Sequence, residues 1–121
     1  MVKVSNSIKK NAGFVNRFLK KELKGNPKQL YDAASHLILH GGKRLRPFLV
    51  LKSCQMLGGR QSDAMAAASA VEMIHNFTLV HDDIMDNDEM RHGVPTTHKK
   101  FDMPLAILAG DVLYSKAYHT I

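Results

Sequence analysis

The chain has 121 residues, enough for one small domain, and carries 17 Lys and Arg against 11 Asp and Glu, a formal charge of +6. Its single cysteine, Cys54, excludes an intrachain disulfide and fits a reducing cytosol, and the start Met1-Val2-Lys3-Val4-Ser5-Asn6 lacks the apolar core of a signal peptide. No apolar stretch reaches the ~18 residues needed to span a bilayer, so a soluble, cytoplasmic protein with no transmembrane segment is expected.

The charge is unevenly spread. Residues 1–28 carry Lys3, Lys9, Lys10, Arg17, Lys20, Lys21, Lys24 and Lys28 against the single acid Glu22. Residues 72–89 carry six acids and no Lys or Arg. A basic N-terminus can mark a nucleic-acid or anionic membrane surface. Here Ile8, Ala12, Val15 and Leu19 are helically spaced, and no aromatic stacking platform accompanies the cations. The segment reads as an amphipathic helix with a solvated face, and no nucleic-acid partner is expected.

Everything along the chain reads as helix and loop. The first helix spans about residues 5–24 and ends near Gly25. Asn26-Pro27 signals the next, a cap residue followed by Pro at the first helical position. That helix runs to about His40, with Leu30, Ala33, Ala34, Leu37 and Ile38 inward, and Gly41-Gly42 stops it. Pro47 opens a third helix through Phe48, Leu49, Leu51, Met56 and Leu57, closed by Gly58-Gly59. Cys54 lies in this run and reads as a buried structural thiol.

Ser62-Asp63 caps a long fourth helix over about residues 63–86, apolar nearly all round through Ala66, Ala67, Ala70, Ile74, Phe77 and Ile84. Along it Glu72, His75, Leu79, Asp82 and Asp86 recur at three-or-four spacing, a mostly polar stripe suited to a cavity wall. Residues 87–103 read as a loop, and Pro104 starts a last helix still running at Tyr118. No strand pattern, repeat or low-complexity segment is visible.

Two segments carry chemistry. Asp82, Asp83, Asp86, Asp88 and Glu89 fall within eight residues at the C-terminal end of the long helix. On a helix Asp82, Asp83 and Asp86 share one face about a turn long, where like charges repel and the macrodipole disfavours anions. A hard cation removes both penalties, and oxygen-only ligands on a rigid helix suit magnesium shared with substrate phosphates. A solvated acidic helix end is the other reading of such a run. The second segment, His40-Gly41-Gly42-Lys43-Arg44-Leu45-Arg46-Pro47, sets paired glycines beside three cations. The glycines permit close backbone approach, Lys43 offers a point charge, and Arg44 and Arg46 offer planar forks for phosphate oxygens. A helix stop with a few surface cations would look alike. A cationic and a metal-shaped anionic segment together are more specific than either.

At these residues the chain resembles the trans-isoprenyl diphosphate synthases, the short-chain polyprenyl synthases, and looks most like the archaeal geranylgeranyl and farnesyl diphosphate synthases. The matching pieces, in order, are Gly41-Gly42-Lys43-Arg44-Leu45-Arg46-Pro47, Glu72-Met73-Ile74-His75, Asp82-Asp83-Ile84-Met85-Asp86, Arg91-His92-Gly93-Val94-Pro95-Thr96 and Ala109-Gly110-Asp111-Val112-Leu113. The resemblance runs from about residue 8 to the end. It implies an all-α antiparallel helix bundle of the isoprenoid synthase type, with residues 1–121 a single N-terminal portion whose C-terminal half lies beyond Ile121.

The resemblance also implies an activity: a magnesium-dependent prenyltransferase that condenses isopentenyl diphosphate with an allylic diphosphate into a C15–C20 polyprenyl diphosphate. Asp82 and Asp86 would ligate Mg2+, with Asp83 supporting them. Lys43, Arg46 and His75 would hold isopentenyl diphosphate, and Arg91 would contact the allylic diphosphate. The family commonly has a second arginine next, where this chain has His92, mostly neutral at pH 7. Phe77, with Thr78 beside it, would form the floor that sets product length. The half-bundle would be inactive alone and would need a C-terminal half or partner chain, or form a homo-oligomer. The rival reading is a non-catalytic helical subunit that associates with a full-length synthase.

Overall fold

The computed structural model describes residues 2–121. Six helices follow in chain order: α1 Val2–Glu22, α2 Lys28–His36, α3 Leu45–Met56, α4 Gln61–Met85, α5 Thr97–Lys100 and α6 Met103–Thr120. Between α4 and α5 stands one small hairpin, β1 Met90–Arg91 and β2 Val94–Pro95, paired antiparallel with Met90 opposite Pro95 and Arg91 opposite Val94. The expected all-α helix bundle is therefore the observed architecture.

The core is a single apolar cluster. Val15 and Leu19 of α1, Ala33 and Ala34 of α2, Leu51 of α3, Ala68, Ala70, Met73 and Val80 of α4, and Ala109, Leu113 and Ala117 of α6 are almost fully buried in it. Helix α4 packs chiefly against α6 and α3. Small residues dominate the contact with α6, where Ala106, Ala109, Gly110 and Ala117 let the two axes come close. A Cβ at Gly110 would run into the ring of His81, whose Nε2 lies 3.0 Å from the Ile107 carbonyl.

Several boundaries differ from the expectation, each for a local reason. Pro27 is the cap residue of α2, with Lys28 first in the helix. Helix α2 ends at His36 because the carbonyls that would continue it are taken by side chains: His40 Nδ1 meets the His36 carbonyl at 2.5 Å, and Arg44 Nη2 donates to that of Ile38. Helix α3 begins at Leu45, before Pro47, and closes on Gly58-Gly59 as expected. There the Gly58 N–H donates to Gln55 at 3.0 Å and the Gly59 N–H to Cys54 at 2.9 Å, with Gly58 at φ 86°. Helix α4 begins at Gln61 and is not capped by Ser62. Asp63, in its first turn, reaches back to accept the Arg60 N–H at 3.2 Å. Cys54 is half-buried and free, and Leu49 and Met56 of α3 and Leu57 at its C-cap are exposed.

The expected loop at 87–103 is largely structured. His92 and Gly93 link the strands, and both have positive φ, 55° and 77°, the pattern of a two-residue type I′ hairpin turn. Strands of two residues are too short to show alternation in sequence. Asp102 caps α6 by accepting the Leu105 N–H at 2.8 Å.

His36 ties α2 to the hairpin. Its Nε2–H donates to the Pro95 carbonyl at 2.7 Å, and its ring stacks edgewise on Phe101. Burial holds its pKa below the ordinary 6.5, against a smaller opposing effect of the Pro95 carbonyl, and His40 and Lys100 push it the same way as burial. The folded state therefore binds fewer protons than the unfolded one, so this contribution is present above pH 6.5 and is lost as pH falls. The thermal midpoint should drop between about pH 7.5 and 5.5, and His36→Gln should make that drop shallower. An unchanged slope in the variant would remove His36 from the account.

Candidate active site

The long helix carries the site and a defined stop places it. Asp86 caps α4 and Asn87 follows at φ 53°. The Asn87 N–H donates to Ile84 at 3.2 Å and the Asp88 N–H to Asp83 at 2.9 Å, closing the last turn as a Schellman motif. Asn tolerates the left-handed conformation better than most residues, which suits it to this position.

The three aspartates share a helix face but not an environment. Asp82 and Asp86 are exposed, and neither carboxylate bonds to another described side chain. Asp83 is 1% exposed and bound by one edge of the Arg91 guanidinium, with Nη2 at 2.8 Å from Oδ1 and Nε at 2.9 Å from Oδ2. The difference is rotation about the helix: Asp83 stands about 100° from Asp82 and about 60° from Asp86, at the inward edge of the face. Arg91 is held by this pair, its pKa raised chiefly by its hydrogen bonds to Asp83.

Among the described residues no group of three or more His, Cys, Asp or Glu converges as a ready metal cage. Two exposed carboxylates one turn apart fit a different demand. Magnesium usually takes one or two protein carboxylates and completes its shell with water and substrate phosphate. Asp82 and Asp86 meet that chemistry.

The cationic segment faces a cavity of about 250 Å³ lined by residues 41–46 together with Glu72, His75, Asn76, Leu79 and His92. Of the expected substrate contacts it gathers Lys43, Arg46, His75 and His92. Arg91 is not on its wall. The volume suits a polar head group, below the roughly 300–1,000 Å³ of pockets that enclose whole drug-sized ligands. The ring of His92 lies over Gly41, where a Cβ would come within 2.5 Å of its Cγ, so the hairpin tip and the glycine loop close on each other only because residue 41 has no side chain. Arg46 Nη1 lies 3.3 Å from His75 Nε2. Burial first, and then the charge of Arg46, hold His75 below its usual pKa. A neutral ring accepting at Nε2 carries its proton on Nδ1, free to donate. A larger open groove of about 900 Å³ along α1 meets this cavity at Gly42 and Lys43, and among the described residues its lining contains no acid or histidine.

Phe77 is half-buried between α4 and α6. Its ring lies 4.8 Å from that of His81 and 5.2 Å from that of Tyr114. Thr78 is exposed and donates to the His75 carbonyl at 2.5 Å. Sequence reading gave His81 no role and missed Tyr114; the partners come from another helix, and spacing along α4 does not reveal them.

Residues 27–121 match the Polyprenyl synthetase family. The chain belongs to this family. It is 52% identical over 107 residues to the geranylgeranyl diphosphate synthase of Saccharolobus solfataricus, covering 88% of this chain and 32% of that protein. It is 51% identical over 119 residues to the geranylgeranyl pyrophosphate synthase of Geoglobus acetivorans, covering 98% and 37%. The crystal structure of the geranylgeranyl pyrophosphate synthetase of Pyrococcus horikoshii superposes with a TM-score of 0.93 at 45% identity, over 98% of this chain and 36% of that one. The chain thus spans about a third of the length of the polyprenyl synthetases it matches.

The division among the aspartates sets a stability test. Arg91→Ala leaves the buried Asp83 carboxylate unpaired and should cost about 3–5 kcal/mol. Asp82→Ala removes an exposed charge from a helix end that disfavours it and should stay within about 0.5 kcal/mol of the parent. Urea unfolding of both variants checks this; equal losses would mean the three acids act as one cluster.

Proposed function

We propose that this chain supplies the isopentenyl diphosphate pocket and one metal-binding edge of a magnesium-dependent trans-prenyltransferase. The observation that carries the reading is the arrangement on α4. His75 faces a head-group cavity with Lys43 and Arg46, and the exposed Asp82 and Asp86 lie two and three turns further along the same helix. One rigid rod thus joins the cavity wall at His75 to the exposed carboxylates. Family membership and the names of the relatives favour a geranylgeranyl-type or farnesyl-type product, C15–C20.

The roles follow from charge. Lys43 and the Arg46 fork hold a diphosphate, and the Nδ1–H of His75 adds a neutral donor. When the allylic C–O bond breaks, the electron pair leaves with diphosphate and an allylic cation remains. The double bond of isopentenyl diphosphate attacks that cation, and loss of a proton completes the condensation. Magnesium, when bound, supplies positive charge where the departing diphosphate gathers negative charge. Asp82 and Asp86 would hold it. Asp83 would keep Arg91 at the same helix end, where its free edge can reach the leaving group, and His92 would complete the opposite pocket. Phe77, backed by His81 and Tyr114, would form the floor of the product cavity with Thr78.

A C-terminal half or partner chain would provide the remaining diphosphate contacts. The large apolar side chains exposed on α6, Met103, Ile107, Leu108, Tyr114 and Tyr118, are consistent with association.

Calorimetric titration of the purified chain with inorganic diphosphate tests the reading, with and without magnesium. Magnesium should tighten diphosphate binding, and Asp82→Ala with Asp86→Ala should abolish that enhancement. Diphosphate binding indifferent to magnesium in the parent chain would defeat the metal assignment. With a completing chain present, Phe77→Ala should lengthen the product; an unchanged product distribution would remove Phe77 from the floor.

A further inference from the structure

Arg44 sits between Lys43 and Arg46 in sequence but does not share their surroundings. It is 3% exposed, whereas both neighbours are exposed on the cavity. Its backbone is left-handed, φ 59° and ψ 36°, immediately before α3. That conformation costs an L-residue about 1–2 kcal/mol and persists only where the surroundings over-determine it. The guanidinium supplies the determination. Nε donates to Asn16 Oδ1 of α1 at 2.7 Å, Nη1 to the Gly41 carbonyl at 2.9 Å and to Glu72 Oε1 of α4 at 3.2 Å, and Nη2 to the Ile38 carbonyl. Asn76 Nδ2 holds the same Glu72 oxygen at 3.3 Å. A Cβ on Gly42 would stand 2.7 Å from Arg44 Nη1, so the loop is cut to the shape of this side chain.

We infer that Arg44 is a positioning residue for the diphosphate pocket: its inward-turned guanidinium fixes the left-handed step that presents Lys43 and Arg46 together to the cavity. Two exposed cations beside His75 and His92 repel one another before an anion arrives. A loop free to move would separate them and lose the geometry that a diphosphate needs. The bonds from Arg44 to α1, to the turn after α2 and to α4 oppose that motion. The inference rests on the pocket reading proposed above and concerns which residue makes the pocket ready before ligand enters.

The test uses Arg44→Lys, which keeps one charge but cannot reach four acceptors from one ammonium. A second variant, Arg44→Gln with Glu72→Gln, neutralises both buried charges while keeping amides that can bond, so it folds if the single change does not. Each is confirmed folded by circular dichroism at the working temperature. Two quantities are then measured: inorganic diphosphate affinity by calorimetry, and the titration midpoint of His75 by NMR. The expected result is at least a tenfold weaker diphosphate dissociation constant, with the His75 midpoint moved upward as Arg46 leaves and water enters. Glu72, Arg91 and His92 also act on that ring, so the Arg44→Lys variant, which changes none of them, is the cleaner of the two. Folded variants with unchanged affinity and an unchanged His75 midpoint would overturn the inference and leave Arg44 a stabilising residue only. If the parent chain binds no diphosphate, the pocket reading fails. The His75 midpoint then decides by itself whether Arg44 places Arg46.

Discussion

A buried ion pair organises this structure. Arg44 and Glu72 are both nearly inaccessible, and neither could stand there without the other. Their attraction has to offset the cost of taking two charges out of water. It does so only because the remaining guanidinium donors find Asn16, Gly41 and Ile38 and the carboxylate finds Asn76. The consequence is geometric. Helices α1 and α4 and the loop between α2 and α3 meet at one planar group, and the positions of the neighbouring cations follow from it.

A second, partly buried pair acts at the C-terminal end of α4. Asp83 and Arg91 fasten the hairpin to the helix terminus, and the turn beyond Arg91 swings His92 back over Gly41. The hairpin thus bridges the two charged ends of the site. Each pair leaves neighbouring residues free: Lys43 and Arg46 beside Arg44, Asp82 and Asp86 beside Asp83. In both segments the buried charge fixes the backbone and the exposed charges remain available for ligand. A stretch of α4 two to three turns long separates His75, which lines the cavity with Lys43 and Arg46, from the exposed Asp82 and Asp86.

The helices were legible because their apolar periodicity, glycine stops and proline starts are local signals. Gly58-Gly59 closes α3 through bonds that span only a few residues. The errors lie where a distant group intervened. Helix α2 stops at His36, where His40 and the Arg44 side chain take the carbonyls of His36 and Ile38 that would continue it, and the hairpin exists because its turn residues accept positive φ, not because its strands advertise themselves. The candidate site was legible as a set of residues, since Lys43, Arg46, His75 and His92 all line one cavity. It was not legible as an arrangement: Asp83 was expected to support the metal ligands and Arg91 to contact a diphosphate, and only the structure shows the two bonded to each other.

The amino-acid order alone determined the helical class, the family and the types of charge the site would hold, because periodicity and motif spacing are properties of the chain. Which of those charges turn inward was decided only in three dimensions. A carboxylate or guanidinium is buried when a partner from another element meets it there, and no spacing along the chain records that partner.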